Sequence, residues 1–421
     1  MTGLTARLRG SIRSPALRAI AMLSGGQSVA MLIPILAAPI LGRLYAPADY
    51  GALAQYMAPA AVLGVVACLQ FQHAIITERA DRTAAAVGWL SILTALAAAV
   101  LVALGVALAW APWLSGTAAG AWFALLPLTV AGAGVIAAGA FLANRHRHYR
   151  WLALMQVAHV LATVVLSIGL GFLSWGADGL LSAYVLGQAM QVAAHAWILT
   201  RVPGVRGAAR PARLRVLARR HWRFPAFTMP GEFLGQINMQ APVFALTAMG
   251  ADATLGAFAR ARALVSMPIT ALGGAVAQVF RREAAAQYHA TGSCRALMLR
   301  TAGGLFLAGI GPCVLFIAFA PWLFTVYLGP DWREAGEIAR ILAPMLLLQM
   351  VVSPVSTVFL FTNNQKLDLW LTLAATALLI GAAGGAMAAG SGASGVIWAY
   401  AMAQASVYLA YIIVGLRLSG P

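Results

Sequence analysis

Apolar stretches of about 20 residues or more recur along the whole chain, separated by short polar pieces. A helix needs about 20 mostly apolar residues to cross the hydrocarbon of a bilayer. Twelve stretches qualify: 19–41, 52–72, 86–110, 121–141, 152–174, 179–200, 224–248, 255–280, 301–328, 338–361, 370–390 and 396–416. Runs such as 95–109 show no alternation of apolar and polar positions, so membrane-spanning β-strands are excluded. The first stretch is too long for a cleaved leader and runs into Arg43 and Tyr45 instead of a small-residue cleavage site. The expectation is an all-α polytopic membrane protein of about 12 transmembrane helices.

Composition agrees with that pattern. Of 421 residues, 62% are apolar and 9% charged, against about 45–50% and 25% in soluble domains. Frequent glycine (42) and tolerated proline (19) suit helices packed in lipid. Cys68, Cys294 and Cys313 have no metal-ligand spacing and are assigned no chemistry.

The net charge of +17 acquires meaning from its placement. With both termini in the cytoplasm, 23 of the 28 basic residues fall on inner segments, and the outer loops hold only Arg43 and Arg333. This is the positive-inside bias, so the charge is topological and no nucleic-acid partner is implied. The remaining three, Arg260, Arg262 and Arg340, fall inside spans.

The basic segment 201–223 is the longest polar stretch. It divides the chain into an N-terminal six-helix lobe, 1–200, and a C-terminal six-helix lobe, 224–421, with 201–223 as a cytosolic linker. An even number of spans per lobe makes any internal repeat parallel, with its pseudo-two-fold along the membrane normal. At an offset of 205 residues, Gly26 falls on Gly231 and Gly51 on Gly256, and the run from Gly51 to Ala54 matches that from Gly256 to Ala259.

Polar groups at span depth are costly unless paired or hydrated, so they are the first functional candidates. Arg260 and Arg262 differ by about 200° around their helix and cannot both face one cavity. Arg260, whose repeat counterpart is Gln55, is the expected cavity residue; the alternative makes both arginines outer-end anchors. Glu232, Gln236 and Gln240 form a stripe at i, i+4, i+8 on span 7, with Asn238 on another side. Glu232 and Arg260 lie about 16 Å apart in depth, too far to pair. Glu232 reads as an ion-coupling acid of the inner half, or as a hydrated acid favoured by the helix dipole. Gln156, His159, Thr163 and Ser167 on span 5, and Tyr184, Gln188, Gln191 and His195 on span 6, either line a wet cavity or bind helices together.

No phosphate-binding loop of the form G-x-x-x-x-G-K-[ST] occurs, and no cofactor is expected. The 11 acidic residues offer no serine–histidine–acid arrangement. Asp331, Glu334 and Glu337 form a solvated outer-loop group with Arg333 nearby, so an enzyme is not expected.

The first outer loop reads Gly42, Arg43, Leu44, Tyr45, Ala46, Pro47, Ala48, Asp49, Tyr50, Gly51, after Ser24, Gly25 and Gly26 at the opening of span 1. It resembles the R-L-Y-x-P-x-D-Y-G signature of bacterial polysaccharide-biosynthesis flippases, which export lipid-linked oligosaccharides such as O-antigen units. Phe224, Pro225, Met229, Pro230 and Gly231 on span 7, and the run from Gly256 to Arg260 with Pro268, Gln278, Val279 and Phe280 on span 8, look like the second-half pattern. That family belongs to the multidrug/oligosaccharidyl-lipid/polysaccharide exporter superfamily.

The resemblance implies two six-helix bundles forming a V and alternating access by rocking of the lobes. It implies a polyprenyl-diphosphate-linked oligosaccharide as substrate, the bacterial inner membrane as location, a role in lipopolysaccharide or other surface-polysaccharide biosynthesis, and polymerase and glycosyltransferase partners. Arginine suits diphosphate geometry. Arg260 is therefore carried over as the diphosphate residue, with Arg262, Gln27, Gln55, Gln236, Asn238 and Gln240 as further substrate-binding candidates. Arg43, Tyr45, Pro47, Asp49, Tyr50 and Gly51 are expected to be structural. Spans 1 and 2 lack the deep basic residue of strongly cationic relatives. A multidrug/cation antiporter of the same architecture and a membrane glycan polymerase are the alternatives.

Overall fold

A computed structural model describes residues 15–109, 116–202, 204–205, 207–208, 210–362 and 364–420. Among them there are helices and turns and no strand. The long helices are α1 (Pro15–Leu44), α2 (Pro47–Ala67), α3 (Asp81–Ala109), α4 (Leu126–Arg145), α5 (Tyr149–Phe172) and α6 (Gly176–Arg201). After the short α7 (Pro211–Arg220) come α8 (Met229–Ala248), α9 (Asp252–Thr291), α10 (Arg295–Leu328), α11 (Arg333–Val355), α12 (Gln365–Ala388) and α13 (Gly392–Leu418). Each expected span coincides with one of the twelve long helices, because a bilayer-length apolar run has no other way to satisfy its backbone.

Nine of these helices are long and apolar enough to cross a membrane among the described residues, or ten if the bent pair Asp252–Met267 and Leu272–Thr291 is one span. The two others, α6 and α8, each carry two glutamines of the polar stripes, and those residues dilute their apolar character. The second span ends earlier than its hydropathy suggests. α2 stops at Ala67, Leu69 and Gln70 take φ of 48° and 59°, and a 3-10 turn follows at Phe71–His73.

The chain forms two compact units. The first combines the residues through Leu44 with Pro59–Glu232; the second combines Tyr45–Ala58 with Phe233–Pro421. α2 thus contributes its first half to one unit and its second half to the other, and the change falls at Pro59 inside the helix.

In the first unit, a buried cluster gathers Phe71, Ile75, Val87, Leu142, Leu214 and Leu217. Leu214 and Leu217 come from α7, whose apolar edge is buried while Arg215, Val216 and Arg219 stay exposed. The basic segment is therefore packed onto the start of α3 in this unit. In the second unit, α11 is the most enclosed membrane-length helix, with Leu342 fully buried, as is Trp332 in the 3-10 turn that precedes it.

Candidate functional site

The second unit holds most of the residues singled out from the sequence. Its entry is the loop motif. Pro47 occupies the first turn of α2, where its missing N–H costs nothing. The Asp49 carboxylate reaches back to accept the Ala46 N–H at 2.8 Å, a capping contact that fixes the start of the helix. Tyr45 is buried and stands edge-on to Tyr50. Burial, with Tyr50 and Asp49 beside it, pushes the Tyr45 hydroxyl up to about 12. Tyr50 in turn packs edge-on against Trp332, at 5.3 Å between ring centres. Arg43, in the first unit, donates to the Pro39 carbonyl at the end of α1.

α2 and α9 then meet along a seam within this unit. A side chain on Gly51 would collide with the carbonyl of Asp252, and one on Gly256 would collide with the carbonyl of Pro47. At the 205-residue offset these contacts are images of each other, since Pro47 maps to Asp252 and Gly51 to Gly256. The internal repeat is thus visible as a local two-fold exchange between the helix starts.

The polar side chains of the seam break that symmetry. Gln55 is buried and donates through Nε2 to Asp252 Oδ1 at 2.5 Å. Its counterpart is Arg260. The position equivalent to Asp252 is Pro47, which carries no carboxylate. Arg260 instead lies with its guanidinium carbon 4.8 Å from the centre of the Tyr50 ring. It is 9% exposed, and its Nε and Nη2 have no acceptor among the described residues. A cation–π contact compensates a buried guanidinium by about 2 kcal/mol. Unmet desolvation of such a charge is several kcal/mol.

The other two intramembrane arginines find acceptors on neighbouring helices. Arg262 donates to the Met239 carbonyl at 2.5 Å and to Gln240 Oε1 at 3.2 Å, next to Pro242 in α8. Arg340 donates to the Ile317 carbonyl at 2.7 Å. That carbonyl lacks its helical donor because the residue four places on is Pro321. Arg340 therefore mends a proline break, a role that span-by-span reading of the sequence did not suggest. Gln236 Oε1 and Asn238 Oδ1 are buried without a donor among the described residues.

In the first unit, Gln27 is exposed, and the neighbouring Gly26 packs closely on Ala153. Glu232 is exposed in the first turn of α8. The stripe on α5 is largely adhesive: His159 donates to the Gly187 carbonyl of α6 at 3.0 Å, while Thr163 and Ser167 donate to their own helix. His195 donates to Gln191 of its own helix and meets the Trp151 ring edge-on. Tyr184 and Gln188, higher on the α6 stripe, line a cavity.

Two polar groups of this unit escaped sequence reasoning. The Glu78 side chain is 4% exposed and accepts from His221 at 2.8 Å, with Arg220 at 3.4 Å. Arg145 donates to the carbonyls of Ile75, Glu78 and Arg79 and to the Asp81 carboxylate, clamping the turn between the short helix at Ala74–Thr77 and α3. The signal available was the pair of acids, Glu78 and Asp81, interleaved with Arg79 and Arg82 in one inner loop.

A family model described as "Polysaccharide biosynthesis protein" matches residues 40–337. No curated protein matches the chain by sequence. Among solved structures, the chain is similar to the lipid II flippase MurJ in an inward closed conformation, with a TM-score of 0.73, 14% identity, and coverage of 94% of this chain and 87% of that one. It is similar to an outward-facing multidrug resistance MATE family transporter of the MOP superfamily, with a TM-score of 0.61, 19% identity and 95% of each chain covered. A MOP superfamily transporter from Pyrococcus furiosus gives a TM-score of 0.60 at 19% identity, covering 95% of this chain and 94% of that one. At these identities the likeness concerns the fold: an all-α polytopic membrane protein of the same architecture.

Proposed function

The chain belongs to the polysaccharide biosynthesis protein family, and from that premise we propose that it is a flippase. It moves polyprenyl-diphosphate-linked oligosaccharide across the bacterial inner membrane by alternating access, for cell-surface polysaccharide of the O-antigen or lipopolysaccharide kind. Lobes 1–200 and 224–421 rock about the substrate, and both termini face the cytoplasm. A polymerase and glycosyltransferases supply and consume the glycan.

One observation carries this reading. Arg260 is a buried cation with two nitrogens that lack acceptors, on the seam formed by the family's loop motif. A diphosphate offers the forked, charged acceptor that a guanidinium matches. A cationic drug has no use for such a group, and this favours the flippase over the antiporter. Gln236 and Asn238, with carbonyl oxygens lacking donors, are suited to hydroxyl or ammonium donors of the glycan. Glu232 is the acid available for proton or sodium coupling.

The test is transport in reconstituted vesicles holding a polyprenyl-diphosphate oligosaccharide, with outer-leaflet glycan read by an enzyme that cannot enter. Transfer above protein-free vesicles, lost in Arg260→Ala, is expected. Absence of transfer with several glycans, together with ion-driven efflux of a cationic dye, would replace this function by antiport.

A further inference from the structure

The break after α2 opens a cavity inside the first unit. Its volume is about 330 Å³, within the range of small-molecule sites. Its polar lining comes from Gln70, Gln72, Thr129, Tyr184 and Gln188. Small residues, Gly64 and Ala133 among them, make the room on the facing helices α2 and α4.

The break that creates this lining is itself unusual. Leu69 and Gln70 both take left-handed backbone, with φ of 48° and 59°. Such strained backbone persists where surrounding contacts impose it. The Gln70 amide supplies one of them by donating to the Val65 carbonyl at 2.9 Å. Its Oε1 accepts from Gln72 Nε2 at 2.8 Å and from His73 Nε2 at 3.0 Å. The two carboxamides are thereby held in fixed orientation. Gln70 is 5% exposed and Gln72 9%. Within this arrangement Gln72 Oε1 is buried and has no donor among the described residues.

The chemistry of the lining selects an occupant. Its polar groups are amides and hydroxyls, and no carboxylate or cationic side chain is among them. A metal cation finds no counter-charge there, and an anion finds no cationic donor. A neutral polyol fits, because each hydroxyl both donates and accepts and so complements amide groups of either polarity. Tyr184 adds an aromatic body with a polar tip, which suits the mixed faces of a sugar ring.

We propose that this cavity is a binding subsite for a neutral hexopyranose of the transported glycan, with the Gln72 carbonyl accepting a sugar hydroxyl; the proposal rests on the flippase reading above.

The experiment measures binding to the purified full chain in lipid nanodiscs. The probes are a polyprenyl diphosphate bearing a neutral hexose disaccharide and the same lipid diphosphate without sugar. Gln72→Leu and Gln188→Leu are each expected to weaken the glycosylated lipid about tenfold and to leave the bare diphosphate unchanged, whereas Arg260→Ala weakens both. Glutamine-to-leucine changes that weaken both lipids equally, or neither, would overturn the subsite. A wild-type chain that binds neither lipid would overturn the flippase reading instead. Should Gln72→Leu fail to fold, Gln188→Leu and Tyr184→Phe give the same discrimination from α6.

Discussion

Gly51 and Gly256, 205 positions apart, each lie against the start of the helix that carries the other. Neither position has space for a methyl group, because the atom in the way is a backbone carbonyl in both cases. Gly51→Ala and Gly256→Ala should each destabilise the protein by about 1–3 kcal/mol, as overpacking does. Thermal melting in detergent measures this. The double variant should fall short of the sum of the two losses, since one separation of the helices relieves both clashes.

Removing the charge of Arg260 should have opposite effects on stability and transport. Arg260→Gln copies the side chain of its repeat partner Gln55 and discards a buried cation whose Nε and Nη2 lack acceptors. Its melting temperature should rise by several degrees, corresponding to about 1 kcal/mol or more. Vesicle transport by the same variant should be lost. A variant that melts lower than wild type would show that the Tyr50 contact already compensates the charge.

Asp252→Ala should cost about 1–3 kcal/mol, because Gln55 would lose its acceptor while remaining buried. Asp252→Asn should cost less, since an amide oxygen still accepts. Comparison of their denaturation midpoints distinguishes the lost hydrogen bond from the lost charge.

Arg145→Lys should destabilise the first unit although the charge is kept. An ammonium cannot serve the Ile75, Glu78 and Arg79 carbonyls and the Asp81 carboxylate from one planar fork. The expected loss is about 2 kcal/mol or more, with faster hydrogen exchange confined to residues 74–81, which mass spectrometry would resolve.

Tyr45 supplies a pH signature. Its hydroxyl is pushed up to about 12 from an ordinary value of 10.0. The folded state therefore holds the proton more tightly than the unfolded chain. That stabilisation is complete below pH 10, declines as pH rises, and is gone above about 12. Melting curves across that window should flatten in Tyr45→Phe, and an unchanged slope would assign the alkaline loss to other groups.

The positions of the long helices were legible because a bilayer leaves apolar runs no alternative to helix. The match of Gly51 with Gly256 was legible as well, but not that the two helix starts touch each other's partner. Sequence spacing separated Arg260 from Arg262 by angle alone. What distinguishes them is the neighbourhood: Arg262 donates to the Met239 carbonyl and to Gln240 Oε1, and Arg260 lies over the Tyr50 ring, with a proline where its repeat partner has an aspartate. Gln70 and Gln72 went unnoticed because apolar residues continue on both sides of them and hide the reversal of φ. The partners of Glu78 lie 142 and 143 positions away, beyond any local pattern.

The division of α2 at Pro59 has a consequence for how the protein is made. Residues 45–58 belong to a unit whose other members begin at Phe233. Pro47 leaves the ribosome 205 residues before Asp252, an interval of about 10–40 s at ordinary rates of synthesis. The first unit gains its full complement of residues only when Glu232 is added, near the end of that interval, and Gln55 precedes its Asp252 acceptor throughout. A nascent chain stalled between Phe233 and Ala251 therefore carries every residue of the first unit together with a glutamine whose aspartate acceptor has yet to be made.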